Sequence, residues 1–260
     1  MECITINDPN DRSFPLSRAL FENRQVLYHG SWTTYSSTIE SEGFVHGALP
    51  FDWRHVATVF RARQAIGGSA LKMFLGEEYP RKPPSCDLSL ITNFWFARAY
   101  AMDGGGEVVR MTIEEAQQFE RICTIAQERA ALKAHWEKGL RDCPDHSATK
   151  AAVKLLGDDS ALQHLCSDVK AAREALVSVT AGGCPVVYAV RVVPGWFGNE
   201  WANYMTDLES GHRTTELRCR GEVIHPDRLV AKVIYPNGTE RDFMPTWCNT
   251  WEDVEAIVRQ

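Results

Sequence analysis

Apolar residues change their spacing along this chain, and the changes divide it into four stretches. Residues 1 to about 24 are polar and turn-rich, with Asp8-Pro9-Asn10-Asp11 at their centre, and predict an N-terminal arm. Residues 25–111 predict alternating strands and helices. Val26-Leu27-Tyr28 is a short apolar strand. Ser37-Thr38-Ile39-Glu40 has capping-box spacing and Gly43 suits a helix C-terminus, so a short helix is expected between them. From Trp53 to Ala65, Val56, Val59 and Phe60 fall at helical spacing. Leu88 to Ile91 predicts a strand, Phe94 to Ala101 a buried helix and Glu107 to Met111 a further strand.

Residues 112–180 are helical in pattern. Thr112-Ile113-Glu114-Glu115 has capping-box spacing, and Ala116, Phe119, Cys123, Ala126 and Ala130 make one stripe. Two more helices are expected at about 147–156 and 160–179, separated by Gly157-Asp158-Asp159. Residues 184–260 return to strand character. Pro185 to Val193 is the clearest strand. A polar, aromatic loop from Gly195 to Thr215 follows, then strands from Glu216 to Arg220 and from Leu229 to Tyr235. Thr250-Trp251-Glu252-Asp253 caps a last helix. The expected class is α+β, with a mixed or mostly antiparallel sheet and a helical insertion at about 112–180 in a single domain.

A chain of 260 residues can bury a core without disulfide staples. Its net charge of -6 argues against a generally basic nucleic-acid binder, though not against a local basic groove. Arg61, Arg63, Lys72, Arg81 and Lys82 form such a cluster, partly offset by Glu77 and Glu78. No stretch reaches the roughly 20 apolar residues of a membrane span, and Met1-Glu2-Cys3-Ile4 does not open a signal peptide. The eight cysteines are scattered with no CxxC pair, which predicts reduced thiols in a cytoplasmic protein and no structural zinc. No two histidines lie three or four residues apart, so no metal is expected. GxGxxG, P-loop, HExxH and GxSxG motifs are all missing.

Three groups of residues carry candidate chemistry. Tyr28-His29-Gly30 ends a strand; a histidine there can donate from one ring nitrogen and accept at the other, and a glycine admits a ligand to the backbone. Phe94-Trp95-Phe96 opens a helix and either fills core or walls a flat ring. Glu216 begins a strand after the long loop, on one face with Arg218 and Arg220, while Leu217 and Cys219 point the other way. Read singly, each has a plainer structural explanation: a strand end, a core helix, a solvated carboxylate.

Their order along the chain resembles that of the ADP-ribosyltransferase superfamily, in its histidine-type branch (the diphtheria-toxin and poly(ADP-ribose)-polymerase-like clade). The first element is Tyr28-His29-Gly30-Ser31 followed by Ile39 to Gly43-Phe44. The second is Ser89 or Thr92 on a strand, then Ala97-Arg98-Ala99-Tyr100-Ala101. The third is Pro185 to Val193, the loop at 195–215, Glu216, and then Pro226-Asp227-Arg228-Leu229-Val230. The resemblance covers about 25–110 and 184–236, and leaves 112–180 unexplained.

The resemblance implies a split, mixed or antiparallel sheet core and an activity that cleaves NAD⁺ as co-substrate and transfers ADP-ribose. Glu216 takes the catalytic role; Glu222 on the same segment competes, but the distance from Glu216 to Pro226 leaves room for a strand and a turn. His29 holds the adenosine-side ribose, with Gly30, Ser31 and Thr92 lining the NAD⁺ site. Tyr28, Phe94, Trp95 and Tyr100 are expected against nicotinamide. The pyridinium of NAD⁺ leaves without a general acid, so one carboxylate suffices to stabilise the oxocarbenium-like ribose.

The family's loop before the catalytic Glu helps choose the acceptor. Here it holds Trp196, Phe197, Trp201, Asn203, Tyr204, His212 and Arg213, of which Trp201, Tyr204 and Arg213 are the acceptor-binding candidates. Thr214 replaces the Glu or Gln of arginine-modifying members. The expected acceptor is nucleic acid, as in bacterial toxins of this kind, with protein next and a small molecule third. An antitoxin or inhibitor protein is a further expected partner. Water as acceptor (an NAD⁺ glycohydrolase) and a non-catalytic NAD⁺ or ADP-ribose binding module are the competing readings.

Overall fold

The computed structural model describes residues 1–8, 10–45, 51–69, 71, 88–102, 106–209, 216–219, 223–238 and 250–258. Arg213, His212, Glu222, Arg220, Lys72, Arg81, Lys82, Glu77 and Glu78 lie outside them. The chain forms two compact units: residues 1–48, 85–107 and 180–260 make the first, and residues 49–84 and 108–179 the second. The class is α+β.

The first unit is built on a six-stranded sheet in the order β1-β6-β4-β2-β3-β5. Its strands are β1 (Glu2–Thr5), β2 (Val26–Trp32), β3 (Leu88–Ile91), β4 (Pro185–Arg191), β5 (Glu216–Cys219) and β6 (Leu229–Ile234). β4, the strand most evident in the sequence, is buried at every position but Arg191. It pairs antiparallel with β2 along its whole length, from Val26 opposite Arg191 to Trp32 opposite Pro185. β3 joins β2 through a single pair, Tyr28 opposite Ile91, and then pairs with β5 over four positions. The sheet is therefore weakly laced between β2 and β3.

The expected N-terminal arm is structured. Residues 2–5 form edge strand β1, parallel to β6, and α1 (Arg18–Glu22) follows. The polar composition of 1–24 hid this, because an edge strand with exposed residues carries little alternation.

Helices cover both faces of the sheet. On one face α4 (Phe94–Ala101) and α10 (Trp251–Val258) pack with Val26, Tyr28, Val187, Ala189, Ala231 and Val233. On the other, Ile39 of α2 (Ser36–Glu42) and Tyr204 of α9 (Asn199–Glu209) pack with Leu27, Val186, Tyr188, Val190 and Leu217. The caps are local. Asn93 Oδ1 accepts from the Trp95 and Phe96 amides at 2.9 and 3.3 Å, starting α4. Thr250 and Asp253 cap each other's amides at 3.2 and 2.9 Å, as their spacing predicts. Gly43 ends α2 at φ 82°, as expected, but Ser37 does not cap it, since the helix starts at Ser36.

The second unit is helical: α3 (Trp53–Ala65), α5 (Glu107–Thr124, all but its first residue), α6 (Ala126–Asp142), α7 (Ser147–Leu156) and most of α8 (Asp159–Thr180). It thus takes in α3 as well as the expected insertion. The strand expected at 107–111 is the first part of α5. Its short apolar run suits either state, and Val109 opens the buried stripe that continues through Thr112, Ala116, Phe119 and Cys123. Thr112 is therefore inside a helix, its hydroxyl bonded to the Val108 carbonyl at 2.6 Å rather than capping. The stripe stops at Cys123, because the helix breaks at Ile125; Ala126 and Ala130 are exposed. Among the described residues no helix is long and apolar enough to cross a membrane.

Candidate active site

β2 carries the first candidates, and its alternation separates them. Tyr28 is buried on the face of α4, its ring edge-on to Phe94 at 5.5 Å. His29 points to the opposite side, 4.7 Å from the ring of Phe44. Gly30 faces α4 so closely that a Cβ there would lie 2.1 Å from the Ala97 carbonyl oxygen and 2.7 Å from the Ala101 amide. The glycine admits a helix, where a ligand was expected. Ser31 is half-buried beyond it and pairs with Val186.

Phe94 and Trp95 are 1 % exposed within the core. Trp95 Nε1 donates to the Arg12 carbonyl at 2.9 Å, and the buried Arg98 guanidinium donates to that of Asp11. These residues hold the N-terminal segment and fill the core; with Tyr28, they do not form the expected wall for nicotinamide. Tyr100, on the outer side of α4, is 45 % exposed and is the one aromatic of this group open to a ligand.

Hydrogen bonds across β2, β3 and β5 connect two of the candidates, although the pairing of Tyr28 with Ile91 and of Ile91 with Glu216 puts the carboxylate on the α4 face and the His29 ring on the other. The Nδ1–H of His29 donates to the Ser89 carbonyl at 3.0 Å. The Ser89 hydroxyl donates to Glu216 Oε1 at 2.5 Å. Ser89 thus links the histidine to the carboxylate, one through its backbone and the other through its side chain. Of the two residues named for the second element, Ser89 is the one at Glu216. Thr92 is buried and opens on a separate cavity of about 370 Å³, shared with Val26, Asn23 and Tyr204.

Burial lowers the His29 pKa from 6.5, opposed by its bond to Ser89. The ring is therefore neutral near pH 7, and with Nδ1 donating to a carbonyl, Nε2 is an acceptor. Glu216 and Arg218 share a side of β5, while Leu217 and Cys219 are buried on the other, as the alternation predicts. Arg218 Nε stands 3.6 Å from Glu216 Oε1, and the two side chains are 60 % and 38 % exposed.

The stretch expected to be an open loop is half helix. The short turn Pro194–Trp196 leads into α9, and residues 210–215 lie outside the described set. Trp201 stacks on Phe197 at 5.7 Å and meets Tyr204 edge-on at 5.3 Å; Tyr204 is buried. These aromatics are committed to the sheet's second core, so Tyr204 does not offer the stacking surface for an acceptor that was expected, and Trp201 offers it only in part. Sequence reasoning missed Glu200, whose Oε2 accepts from the Arg218 amide at 2.8 Å and ties α9 to edge strand β5. Nothing local signals that contact, since it spans 18 residues.

Among the described residues no three His, Cys, Asp or Glu side chains converge as a metal site would require. No family model, curated protein or solved structure matches the chain.

Proposed function

We propose that the chain cleaves NAD⁺ and transfers its ADP-ribose to a macromolecule, using an ADP-ribosyltransferase-like split sheet. The observation that carries the reading is the His29–Ser89–Glu216 linkage: residues from the three ordered sequence elements are joined through 3.0 and 2.5 Å contacts. The single residue pair between β2 and β3 fits a sheet split beside that linkage.

The chemistry needs one positioned carboxylate. Glu216 accepts from the ribose 2′-hydroxyl and stabilises positive charge as the C1′–N bond breaks. Nicotinamide leaves with the bonding electron pair. The acceptor nucleophile then bonds to C1′ and gives up its proton. Ser89 fixes the carboxylate, and His29, on the other face of the sheet, acts on it by holding the Ser89 backbone. Tyr100 is the aromatic left to border the ring. Arg218, beside Glu216 and exposed, supports a phosphate-bearing acceptor and hence nucleic acid. Tyr204, buried on α9, does not contribute to that preference.

Incubation with NAD⁺ is expected to release nicotinamide, and Glu216→Gln to slow release by on the order of 10²–10³. Full activity in Glu216→Gln would sink the assignment. Labelled NAD⁺ offered with RNA, single-stranded DNA and protein together should label nucleic acid. Label on protein alone would overturn the acceptor, and label on none of them would favour hydrolysis.

A further inference from the structure

A cavity of about 460 Å³ lies wholly within the helical unit, between the end of α3, the turn after it, α5 and α6. One wall holds a guanidinium whose donors are under-used. The Arg63 side chain is 17 % exposed, and its Nε stands 3.9 Å from Glu115 Oε2, too far for a hydrogen bond. That Nε is buried and has no hydrogen-bond partner among the described residues. Arg63 Nη2 donates to Gln118 Oε1 at a long 3.4 Å. The Glu115 carboxylate behind it already accepts from the Ser69 hydroxyl. Removing a guanidinium from water is costly, and burial pulls the Arg63 pKa down. Nε itself is closed off, so it is the terminal nitrogens of Arg63, with one weak bond to Gln118 among the described residues, that a ligand in the cavity would meet.

The rest of the lining has a definite shape. Trp136 is fixed by its Nε1–H, which donates to the Ile66 carbonyl at 2.8 Å. Gly67 sits under that ring at φ 126°; a Cβ there would come within 2.0 Å of Cζ2. Gly68, at φ 133°, faces open space. Across the cavity Arg121 is held by Glu128. A flat apolar surface therefore shares one cavity with two guanidiniums.

We propose that this cavity binds a nucleoside monophosphate group, with the phosphate on Arg63 and Arg121 and the base against Trp136. Guanidinium forks match phosphate oxygens. Indole gives a base a stacking surface. The volume lies in the range of small-molecule sites. The group is supplied either by a free nucleotide or by the 5′-phosphorylated end of a strand. The proposal is independent of NAD⁺ cleavage.

Isothermal titration of the full chain with AMP tests it, with adenosine, ribose 5-phosphate and a 5′-phosphorylated dinucleotide as further arms. AMP is expected to bind saturably, and each half-ligand at least tenfold more weakly. Tighter binding of the dinucleotide would identify a strand end as the source; equal binding, a free nucleotide. Arg63→Met should weaken AMP at least tenfold. Arg121→Ala, at the exposed rim, should weaken it severalfold, and keeps the test decisive if Arg63→Met fails to fold. Unchanged affinity in Arg121→Ala, or no saturable binding of AMP or dinucleotide, would overturn the proposal. So would AMP binding lost in His29→Ala and kept in Arg121→Ala, which would put the nucleotide at the sheet.

Discussion

At the scale of single residues, His29, in the middle of β2 and not at the strand end its sequence suggests, shows how a strand histidine becomes a poised group. Its ring is enclosed beside Phe44, donates through Nδ1 to a backbone carbonyl and is kept neutral by burial. The folded-state pKa lies below the ordinary 6.5. As pH falls through 6.5, the unfolded chain takes up a proton that the folded chain does not, so stability declines from there down to the folded value. Above that window His29 contributes no pH dependence. In His29→Asn, the fall in urea midpoint between about pH 7 and pH 5 should be smaller than in the natural chain. An equal fall in both would show that His29 is not held neutral by the fold. Ser89 acts differently, through geometry. Ser89→Ala removes the hydroxyl that fixes Glu216 and should lower nicotinamide release about tenfold, or ~1.4 kcal/mol of transition-state stabilisation. A structural role alone would lower the thermal midpoint and leave the rate per folded molecule unchanged.

At the scale of elements, the contact of β2 with α4 is set by Gly30. Its missing side chain lets the backbone of Ala97 and Ala101 lie directly on the strand. Gly30→Ala would force α4 outward and is expected to destabilise by about 1–3 kcal/mol, the usual cost of overpacking. Chemical denaturation reads this directly, and a loss within a few tenths of a kcal/mol would mean that α4 is free to shift. The glycine in Tyr28-His29-Gly30 was legible as a close approach, but not what approaches. The same holds for α9. Trp201 and Tyr204 stood out as aromatics between two strands, and their neighbours did not announce a helix. Burial against the sheet, with Glu200 bonded to β5, decides that conformation.

At the scale of the whole molecule, the chain holds separate cores. The sheet unit packs a core on each face, and the helical unit packs Val59, Ala62, Phe119, Cys123, Leu162 and Val169 around its own. Phe119 is fully buried there. Phe119→Ala should cost that unit about 3–5 kcal/mol. Hydrogen exchange is then expected to rise in α5 to α8 more than in β2 and β4. An equal rise throughout would show that the two units unfold as one.

Periodicity by itself determined the elements whose residues are locally consistent. β3, α3 and α4 fall where alternation and caps place them, as do α7 and the capped start of α10. The order of Tyr28-His29-Gly30, Ser89 and Glu216 was also there to be read. Tertiary structure alone decided three further matters: which side of β2 each of these residues faces, that Ser89 rather than Thr92 meets Glu216, and that 107–111 extends a helix. The physical reason is the same in each case. Strand register and helix burial are fixed by partners 18 to 127 residues away, and a local pattern records only which residues seek cover, not what covers them.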